Sequence, residues 1–473
     1  MKSLRPYFYT ILELLIFILS FFLSESYTLL LIALTVVVLF SVLDKLGKGI
    51  VLRELISLHA CVVCLVMPLV GYTWYTIENP LSKLWVMYMM VPFNTYFSFA
   101  LPAIAGFVTM ISWPSSRSNV TDGEAFLHWY INRAKSVLRL NNRTAIQIIG
   151  AGLICSLVLK FLPSGLQFIA SLMFFGSFAG FLYVYFDKAM PRRKLILWLF
   201  GLYIVGNSII VGMFTIVAYM GITIFSFLFI GKKVSMLKKI SIFVLAVFIL
   251  LLVQSVKRDY RTQIWRGYEG NRAELFSSLI IDELASGNSF FTVETFFKMY
   301  IRGNQGFNIS LVMRRFPNQR EFDGGERLLT TVAASLVPRV FWPDKPMAGG
   351  KFNMDYYAGI KVSGWSTDVG PLGEAWGSFG EVGGIIFMCV LGLFIRFAYF
   401  RFFWISRKIP LLLFWLPALF YPVTFSMETD TLLVLNTLVK GSFFIWVLFK
   451  MKPDWFGKPK QKVQFRKPVP QLR

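Results

Sequence analysis

Repeated apolar segments of about 20 residues constrain the fold of this chain most, because a helix of that length crosses the hydrocarbon core of a bilayer. The 473 residues are 56% hydrophobic and only 15% charged, whereas a soluble domain carries about 25% charged residues. A water-soluble fold and a disordered chain are therefore both excluded. Twelve segments are predicted to span the membrane: 7–24, 27–43, 55–73, 84–110, 145–163, 165–186, 195–210, 211–230, 240–256, 382–403, 410–425 and 431–449.

The predicted fold is an all-α, polytopic integral membrane protein with about 12 transmembrane helices and one large extracytoplasmic loop. The first segment has no small-residue cleavage site, so we interpret it as a retained span rather than a signal peptide. The expected units are an N-terminal membrane bundle (1–256), the loop (257–380), three C-terminal spans (381–449) and a basic tail (450–473).

The basic residues predict the orientation, since lysine and arginine concentrate on the cytoplasmic side of membrane proteins. With both termini in the cytoplasm, 30 of the 48 basic residues lie in cytoplasmic segments, together with only six acidic residues. The net charge of +23 therefore reflects topology and anionic lipid rather than a nucleic-acid partner.

Residues 257–380 form the exception, a predicted outer loop with 15 basic and 13 acidic residues. A loop of this length without structure of its own is uncommon. Four amphipathic stretches within it predict short helices that lie on the outer surface of the membrane or fold over the spans. These stretches are Leu275–Ile281, Phe290–Ile301, Phe307–Phe316 and Leu328–Val337.

Several kinds of chemistry are not indicated by the sequence. His59 lies within the third predicted span, where a packed helix residue is the expected interpretation, and His128 lies on the cytoplasmic side. The four cysteines do not form a zinc or disulfide framework, and no glycine-rich phosphate loop is present. Two acidic pairs, Glu321/Asp323 and Glu428/Asp430, have a spacing that suits a hard cation, but on flexible loops such pairs are more often solvated carboxylates.

Arginines beside the membrane are the first candidate site. Arg258 and Arg261 follow the ninth span directly and lie on the predicted outer side, against the usual distribution of positive charge. The planar guanidinium group binds phosphate through two hydrogen bonds. The alternative is that these arginines form ion pairs with acidic neighbours such as Asp259 and Glu269.

A second candidate is the proline-rich sequence over residues 337–346. Its prolines fix the backbone, Trp342 offers a flat face for a sugar ring, and Arg339 and Lys345 add positive charge. The alternative is a rigid structural turn at the membrane surface.

A third candidate leads into the tenth span. Glu374 lies at the predicted membrane boundary, where burial would raise its pKa and suit it to act as a base, and Asp368 precedes it. Glu374 is equally suited to pair with an arginine. Lys440 lies near the centre of the last span, and an ionisable group at that depth is either functional or paired.

Two of these sequences carry a resemblance to a known family. LVPRVFWPDKP, followed by GPLGEAWGSFGEVGG at the start of the next span, resembles the oligosaccharide repeat-unit polymerases, the Wzy-type O-antigen polymerases of bacteria. The motifs cover about residues 330–400, and the pattern of spans extends the resemblance loosely over the whole chain.

The resemblance implies a reaction at the outer face of the inner membrane. The growing glycan moves from undecaprenyl pyrophosphate to a new lipid-linked repeat unit, with no cofactor, nucleotide sugar or metal, and a partner protein often regulates chain length. The outer-loop arginines of the family best match Arg258 or Arg261 and Arg339, and Glu374 or Asp368 is available as a weak base.

Four alternatives remain open from the sequence. One is another lipid-linked glycosyltransferase of the same class. An O-antigen ligase shares this architecture but relies on an outer-loop histidine, which the predicted outer loop lacks. The only feature that favours a lipid-linked glycan flippase is Lys440. Transporters usually contain internal repeats, and none is evident in this sequence. A non-catalytic scaffold would tolerate alanine at Arg258, Arg261 and Arg339.

Overall fold

The computed structural model describes residues 7–115, 123–140, 143–211, 220–232, 234–285, 292–337, 341–347, 349–362 and 367–458. In these residues all regular secondary structure is helical, apart from an isolated bridge between Leu46 and Gly49. The prediction of an all-α membrane protein is therefore confirmed. Seven helices are long and apolar enough to cross a membrane: Ser24–Lys45, Leu52–Thr73, Phe93–Ser112, Leu166–Phe186, Arg193–Ile210, Gly370–Ser406 and Thr431–Met451.

The other predicted spans differ in how far the structure supports them. Three coincide with shorter apolar helices at Phe8–Leu19, Arg143–Val158 and Leu412–Glu428. The ninth lies inside one helix of 30 residues, Met236–Trp265. Part of the eighth, residues 212–219, lies outside the described residues. The count of twelve and the extracytoplasmic position of the loop stay predictions.

Within the described residues, twelve α-helices begin before residue 257, and the last of them extends into the predicted outer loop. They are α1 (Phe8–Leu19), α2 (Tyr27–Lys45), α3 (Leu52–Cys61), α4 (Met67–Thr73), α5 (Pro80–Trp85), α6 (Phe93–Ser112), α7 (Glu124–Leu140), α8 (Arg143–Val158), α9 (Ser164–Phe186), α10 (Arg193–Val211), α11 (Gly221–Phe229) and α12 (Met236–Trp265). The fourth predicted span is shorter than expected, since α6 begins at Phe93.

Five helices follow in the segment between α12 and the next long helix. They are α13 (Arg272–Ala285), α14 (Val293–Gly303), α15 (Gln305–Arg315), α16 (Glu326–Leu336) and α17 (Gly350–Asn353). The first amphipathic stretch of the sequence lies within α13, and the other three overlap α14, α15 and α16 except for one to three residues at one end. Short helices are therefore present where the described residues cover these stretches. Residues 305–306 and 308–313 of α15 are buried, which shows that this helix is folded into the bundle.

Three helices complete the chain: α18 (Gly370–Ser406), α19 (Leu416–Phe420) and α20 (Thr431–Met451). Short 3-10 turns flank α19 at Leu412–Trp415 and Tyr421–Glu428. The eleventh predicted span is therefore an interrupted helical segment rather than one regular helix.

Small residues allow the membrane helices to pack closely, because lipid supplies no hydrophobic force between helices. A Cβ atom on Gly152 of α8 would lie 2.5 Å from the Cβ of Ser177 on α9. A Cβ atom on Gly392 of α18 would lie 2.7 Å from the carbonyl oxygen of Phe107 on α6. These close approaches hold α8 against α9 and α6 against α18.

Irregular turns interrupt the bundle where the candidate site lies. A π-helical turn at Val62–Val66 joins α3 to α4, and such turns are frequent at functional sites. Gly380 has φ 68° and ψ −157° inside α18, a conformation that is essentially restricted to glycine. At these turns and in the segment Tyr421–Glu428, the backbone departs from regular helix geometry. Buried polar side chains lie beside these positions.

Candidate functional site

Buried polar side chains meet where α18 and α20 begin. The N-terminal residues of these two helices, Gly370 and Thr431, lie beside the segment Tyr421–Glu428 and the short helix α17. Two groups of charged side chains share this region, and we call them the carboxylate cluster (Asp368, Glu374, Asp430) and the ion-pair cluster (His59, Arg302, Glu428).

Glu374 is the centre of the carboxylate cluster and is only 2% exposed. Its Oε1 accepts a hydrogen bond from Nδ2 of Asn353 at 2.5 Å, and its Oε2 accepts one from the backbone N–H of Thr431 at 3.0 Å. The same Asn353 amide lies 3.5 Å from Oδ1 of Asp368. One amide therefore joins two buried carboxyl groups.

Asp430 fixes the start of α20. Its Oδ1 accepts a hydrogen bond from the N–H of Leu433, and its Oδ2 accepts one from the N–H of Gly349. Aspartate is a favoured residue at this helix position because it satisfies a backbone donor of the first turn. The side chain is 1% exposed.

Burial raises the pKa of both aspartates of this cluster. The pKa of Asp368 is raised to about 8, first by burial and then by the negative charge of Asp430. Burial likewise raises the pKa of Asp430, opposed by the hydrogen bonds from Gly349 and Leu433. A raised pKa of this kind makes a carboxyl group a proton carrier near neutral pH.

The turn that carries Asp368 is held by α15. Gln305 donates to the carbonyl oxygen of Asp368 at 2.7 Å, and Asn308 donates to the same oxygen at 2.8 Å. Gly370 follows with φ 67°, and a Cβ atom there would lie 2.3 Å from the carbonyl oxygen of Met427. The start of α18 is therefore packed directly against the segment that ends at Glu428.

The ion-pair cluster is centred on Glu428, whose side chain is 12% exposed. Its Oε1 lies 2.9 Å from Nε2 of His59 and its Oε2 lies 2.8 Å from Nη2 of Arg302. Arg261 interacts electrostatically with Arg302, since partial burial and then the positive charge of Arg302 lower the pKa of Arg261. One guanidinium group, one carboxylate and one imidazole are therefore in direct contact, and Arg261 is linked to them through its interaction with Arg302.

The structure differs from the sequence interpretation at three residues of the two clusters. Glu428 and Asp430 are not solvated carboxylates, because both are enclosed and hydrogen-bonded. His59 is not only a packed helix residue, because it pairs with a carboxylate that lies 369 positions away. Arg302 was not singled out from the sequence at all.

The structure places the predicted site residues in different surroundings. Asp368 and Glu374 belong to the carboxylate cluster, and Arg261 lies beside Arg302. The side chain of Arg258 and the whole of Arg339 lie outside the described residues.

Three predicted binding residues lie outside both clusters. Lys345 is 6% exposed, and its ammonium group donates to the carbonyl oxygens of Ala334 and Val337 at the end of α16. In this position it stabilises a helix C-terminus. Trp342 is half-buried nearby. Lys440 is also half-buried, with its Nζ 5.8 Å from the ring centre of Phe168.

The arrangement suits proton transfer next to an anion. The guanidinium groups offer positive charge and donors to phosphate, while Glu428 and His59 offer a carboxylate and an imidazole for acid–base chemistry. Within the part of the chain that the structure describes, no three histidine, cysteine or acidic side chains come together as a metal site.

The fold and this site define a polytopic, all-helical membrane protein with charged groups buried at the ends of interrupted helices. One protein family matches residues 129–399, more than half of the chain, and the protein therefore belongs to that family, described as a domain of unknown function (DUF8712). No curated protein and no solved structure matches the chain. The matched region contains Arg261, Arg302 and Glu374, whereas His59 and Glu428 lie outside it.

Proposed function

We propose that the protein polymerises undecaprenyl-pyrophosphate-linked oligosaccharide repeat units at the outer face of a bacterial inner membrane. The product would be an O-antigen or a related surface polysaccharide. The observation that carries the proposal is the contact of Arg302 with the Glu428–His59 pair, with Arg261 in electrostatic interaction with Arg302, together with the motif resemblance over residues 330–400.

The reaction needs one group to accept a proton and others to stabilise a leaving pyrophosphate. The bond between the anomeric carbon of the donor glycan and its pyrophosphate oxygen breaks, and the electron pair leaves with the pyrophosphate. The acceptor hydroxyl oxygen forms the new glycosidic bond, and its proton passes to a base. Positive groups placed at the leaving oxygen stabilise the charge that develops there.

The residues of the site are assigned to these roles by their exposure and partners. Arg261 and Arg302 would bind the pyrophosphate, with Arg258 and Arg339 as further contributors from the predicted outer loop. Glu428, oriented by His59, is better suited than Glu374 to meet a substrate, because both oxygens of Glu374 are buried and hydrogen-bonded. Glu374 and Asp368 would then position the start of α18.

The same reaction scheme indicates which cofactors, further binding residues and partners are expected. No cofactor or metal is required by this scheme. Trp342 and Lys345 would contact sugar or lipid only if the segment 337–346 changes conformation, because Lys345 is enclosed by carbonyl oxygens. A chain-length regulator protein is the expected partner, with membrane lipids around the bundle and no nucleic acid.

The test is polymerisation by the purified protein in detergent with an undecaprenyl-pyrophosphate-linked repeat unit from its own gene neighbourhood. Wild type should produce a ladder of products on a gel, and Arg261→Ala and Arg302→Ala should abolish it. Lys298→Gln is the matched control, since Lys298 lies one turn before Arg302 on α14. A ladder that survives both arginine substitutions would refute the assigned roles.

Ligation of a finished glycan to a lipid A core is the second candidate function. Ligases of this kind rely on a histidine. The predicted outer loop has none, but His59 lies in the site, and this favours ligation. Transfer to lipid A core without a ladder would identify a ligase. Folded protein that transfers nothing would favour a flippase, with Lys440 as the next residue to substitute, or a scaffold.

A further inference from the structure

A cavity with charged side chains in its walls lies at the opposite end of the bundle from the predicted outer loop. Its volume is about 500 Å³. Its walls come from the turn after α2, the start of α7, the turn after α11 and the start of α12. The lining residues are Leu46, Gly47, Lys48, Glu124, His128, Gly231, Lys232, Val234, Ser235 and Lys239.

Lys239 is the feature of this cavity that most needs an explanation. The residue is 7% exposed, and its Nζ donates to the carbonyl oxygen of Leu43 at 2.7 Å. Among the described residues, no carboxylate lies within 4.0 Å of this ammonium group. Asp44 attracts this ammonium group only from beyond that distance, and Lys48 repels it. A buried charge without a counter-charge in contact is costly, so an anion in the cavity would stabilise it.

The other charged groups leave the cavity positive. Lys48 lies 2.5 Å from Asp44, so these two charges offset each other, and Nε2 of His128 lies 3.6 Å from the Glu124 carboxylate. Lys232 also lines the cavity and is exposed, with its Nζ 5.4 Å from the ring centre of Phe229 and 5.8 Å from that of Tyr185. Lys232 and Lys239 therefore supply the excess positive charge.

The start of α12 adds a second attraction for an anion. The N-terminal residue of the helix is preceded by Ser235, whose side chain makes no capping hydrogen bond within the described structure. The N–H groups of the first turn and the helix dipole both favour negative charge at this position.

The outer surface of α12 is apolar beside the cavity. Leu237 is 75% exposed, Ile240 42% and Val244 59%. Their spacing of three and four residues places them on one face of the helix. Acyl chains would lie against such a face while a headgroup occupies the cavity.

We propose that this cavity binds the phosphate group of an anionic phospholipid from the cytoplasmic leaflet. Lys239 and Lys232 contact the phosphate, and the face of α12 formed by Leu237, Ile240 and Val244 contacts the acyl chains. Inorganic phosphate shares the recognised chemistry but lacks the acyl chains, so the two sources of phosphate can be separated.

The test is thermal unfolding of the full-length protein in a neutral detergent during titration with short-chain phosphatidylglycerol, phosphatidylcholine or inorganic phosphate. Phosphatidylglycerol should raise the unfolding temperature of wild type, and phosphatidylcholine should not. Lys232→Gln should shift half-saturation to about tenfold higher lipid, the factor expected for one lost hydrogen bond to a charged group.

Adjacent lysines provide a matched control. Lys238→Gln should behave as wild type, because Lys238 is exposed and does not line the cavity, whereas Lys239→Gln should lose the response. If Lys239→Gln does not fold, Lys232→Gln decides the result. Equal responses in wild type and Lys232→Gln, or to the two lipids, would overturn the proposal. An equal rise with inorganic phosphate would retain the phosphate site and overturn its assignment to lipid.

Discussion

At the scale of single residues, Glu428 joins side chains from three distant parts of the chain. It lies between an imidazole and a guanidinium group and is two positions from the residue that caps α20. Glu428→Gln keeps the volume of the side chain but removes its charge. If Glu428 accepts the proton from the acceptor hydroxyl, the rate of polymerisation should fall by about 10²- to 10⁴-fold.

The control for this substitution is Glu321→Gln, which removes an exposed carboxylate from the segment between α15 and α16. Polymerisation rates would be compared for proteins that elute identically from size-exclusion chromatography. A Glu428→Gln protein that retains the wild-type rate would exclude Glu428 as the base and return attention to Glu374.

The raised pKa of Asp368 predicts that the stability of the folded protein depends on pH. Its pKa is about 8 in the folded protein, against an ordinary value of 3.8, so the folded state holds a proton that the unfolded state has lost. Between pH 4 and 8 the free energy of unfolding should therefore decrease as the pH rises. The stabilisation is fully present below pH 4 and is lost as the pH approaches 8.

Thermal unfolding from pH 5 to pH 9 measures this effect. Asp368→Asn should give a shallower decrease of the unfolding temperature, because the amide does not titrate. Asp355→Asn, at an exposed position on the neighbouring helical turn, should leave the wild-type curve unchanged. A wild-type curve that rises over this range would contradict the assigned protonation of Asp368.

At the scale of elements, Gly370 determines how α18 meets the segment that ends at Glu428. An alanine there would combine positive φ with a Cβ atom 2.3 Å from the carbonyl oxygen of Met427. The backbone strain alone costs about 1–3 kcal/mol. Gly370→Ala should therefore lower the unfolding temperature and reduce activity together.

Gly201 provides the matched helical control. It lies within α10, and a Cβ atom there would meet nothing within 4 Å among the described atoms. Gly201→Ala should be neutral or stabilise the protein by about 0.5–1 kcal/mol, because alanine favours helix. If both substitutions change stability equally, the close packing at the start of α18 is not what makes Gly370 sensitive.

The elements were predictable to the extent that their signals are local. Hydropathy over about 20 residues located the long spans, and the spacing of apolar residues located α13 to α16. Glu374 was found because a carboxylate at a membrane boundary is visible in the sequence. The pairing of Glu428 with His59 and Arg302 was not found from the sequence. It joins three distant parts of the chain, and no local pattern indicates such a contact.

The interruptions within elements were also missed. The eleventh span reads as a continuous apolar segment, although the structure divides it into Leu412–Trp415, Leu416–Phe420 and Tyr421–Glu428. The apolar composition of a segment predicts that it is buried. It does not predict whether the helix is continuous. The turns are stabilised by tertiary contacts, such as that between Gly370 and Met427, and these depend on the complete bundle.

At the scale of the whole molecule, contacts between distant loops agree with the sides predicted from the charges. The Arg133 guanidinium donates to the carbonyl oxygen of Arg407 at 2.6 Å, and the N–H of Gly231 donates to the carbonyl oxygen of Gly47 at 3.2 Å. All four residues belong to segments predicted to be cytoplasmic. These segments therefore share one end of the bundle, as the charge distribution requires.

Which end faces the cytoplasm can be tested by cysteine labelling in intact cells. The four native cysteines would first be replaced by serine or alanine, starting from the buried pair Cys61 and Cys64. Single cysteines would then be introduced by Glu269→Cys, beyond α12, and Ser136→Cys, on α7. Both positions are exposed, so accessibility depends on the side of the membrane rather than on burial.

A membrane-impermeant maleimide should label the Glu269→Cys protein in cells with a permeabilised outer membrane. The Ser136→Cys protein should be labelled only after the inner membrane is opened, because the basic residues of α7 predict a cytoplasmic position for that helix. The reverse pattern would place Arg261 and Arg302 in the cytoplasm, away from lipid-linked glycans at the outer face. It would thereby reject the proposed polymerase while leaving the helical architecture unchanged.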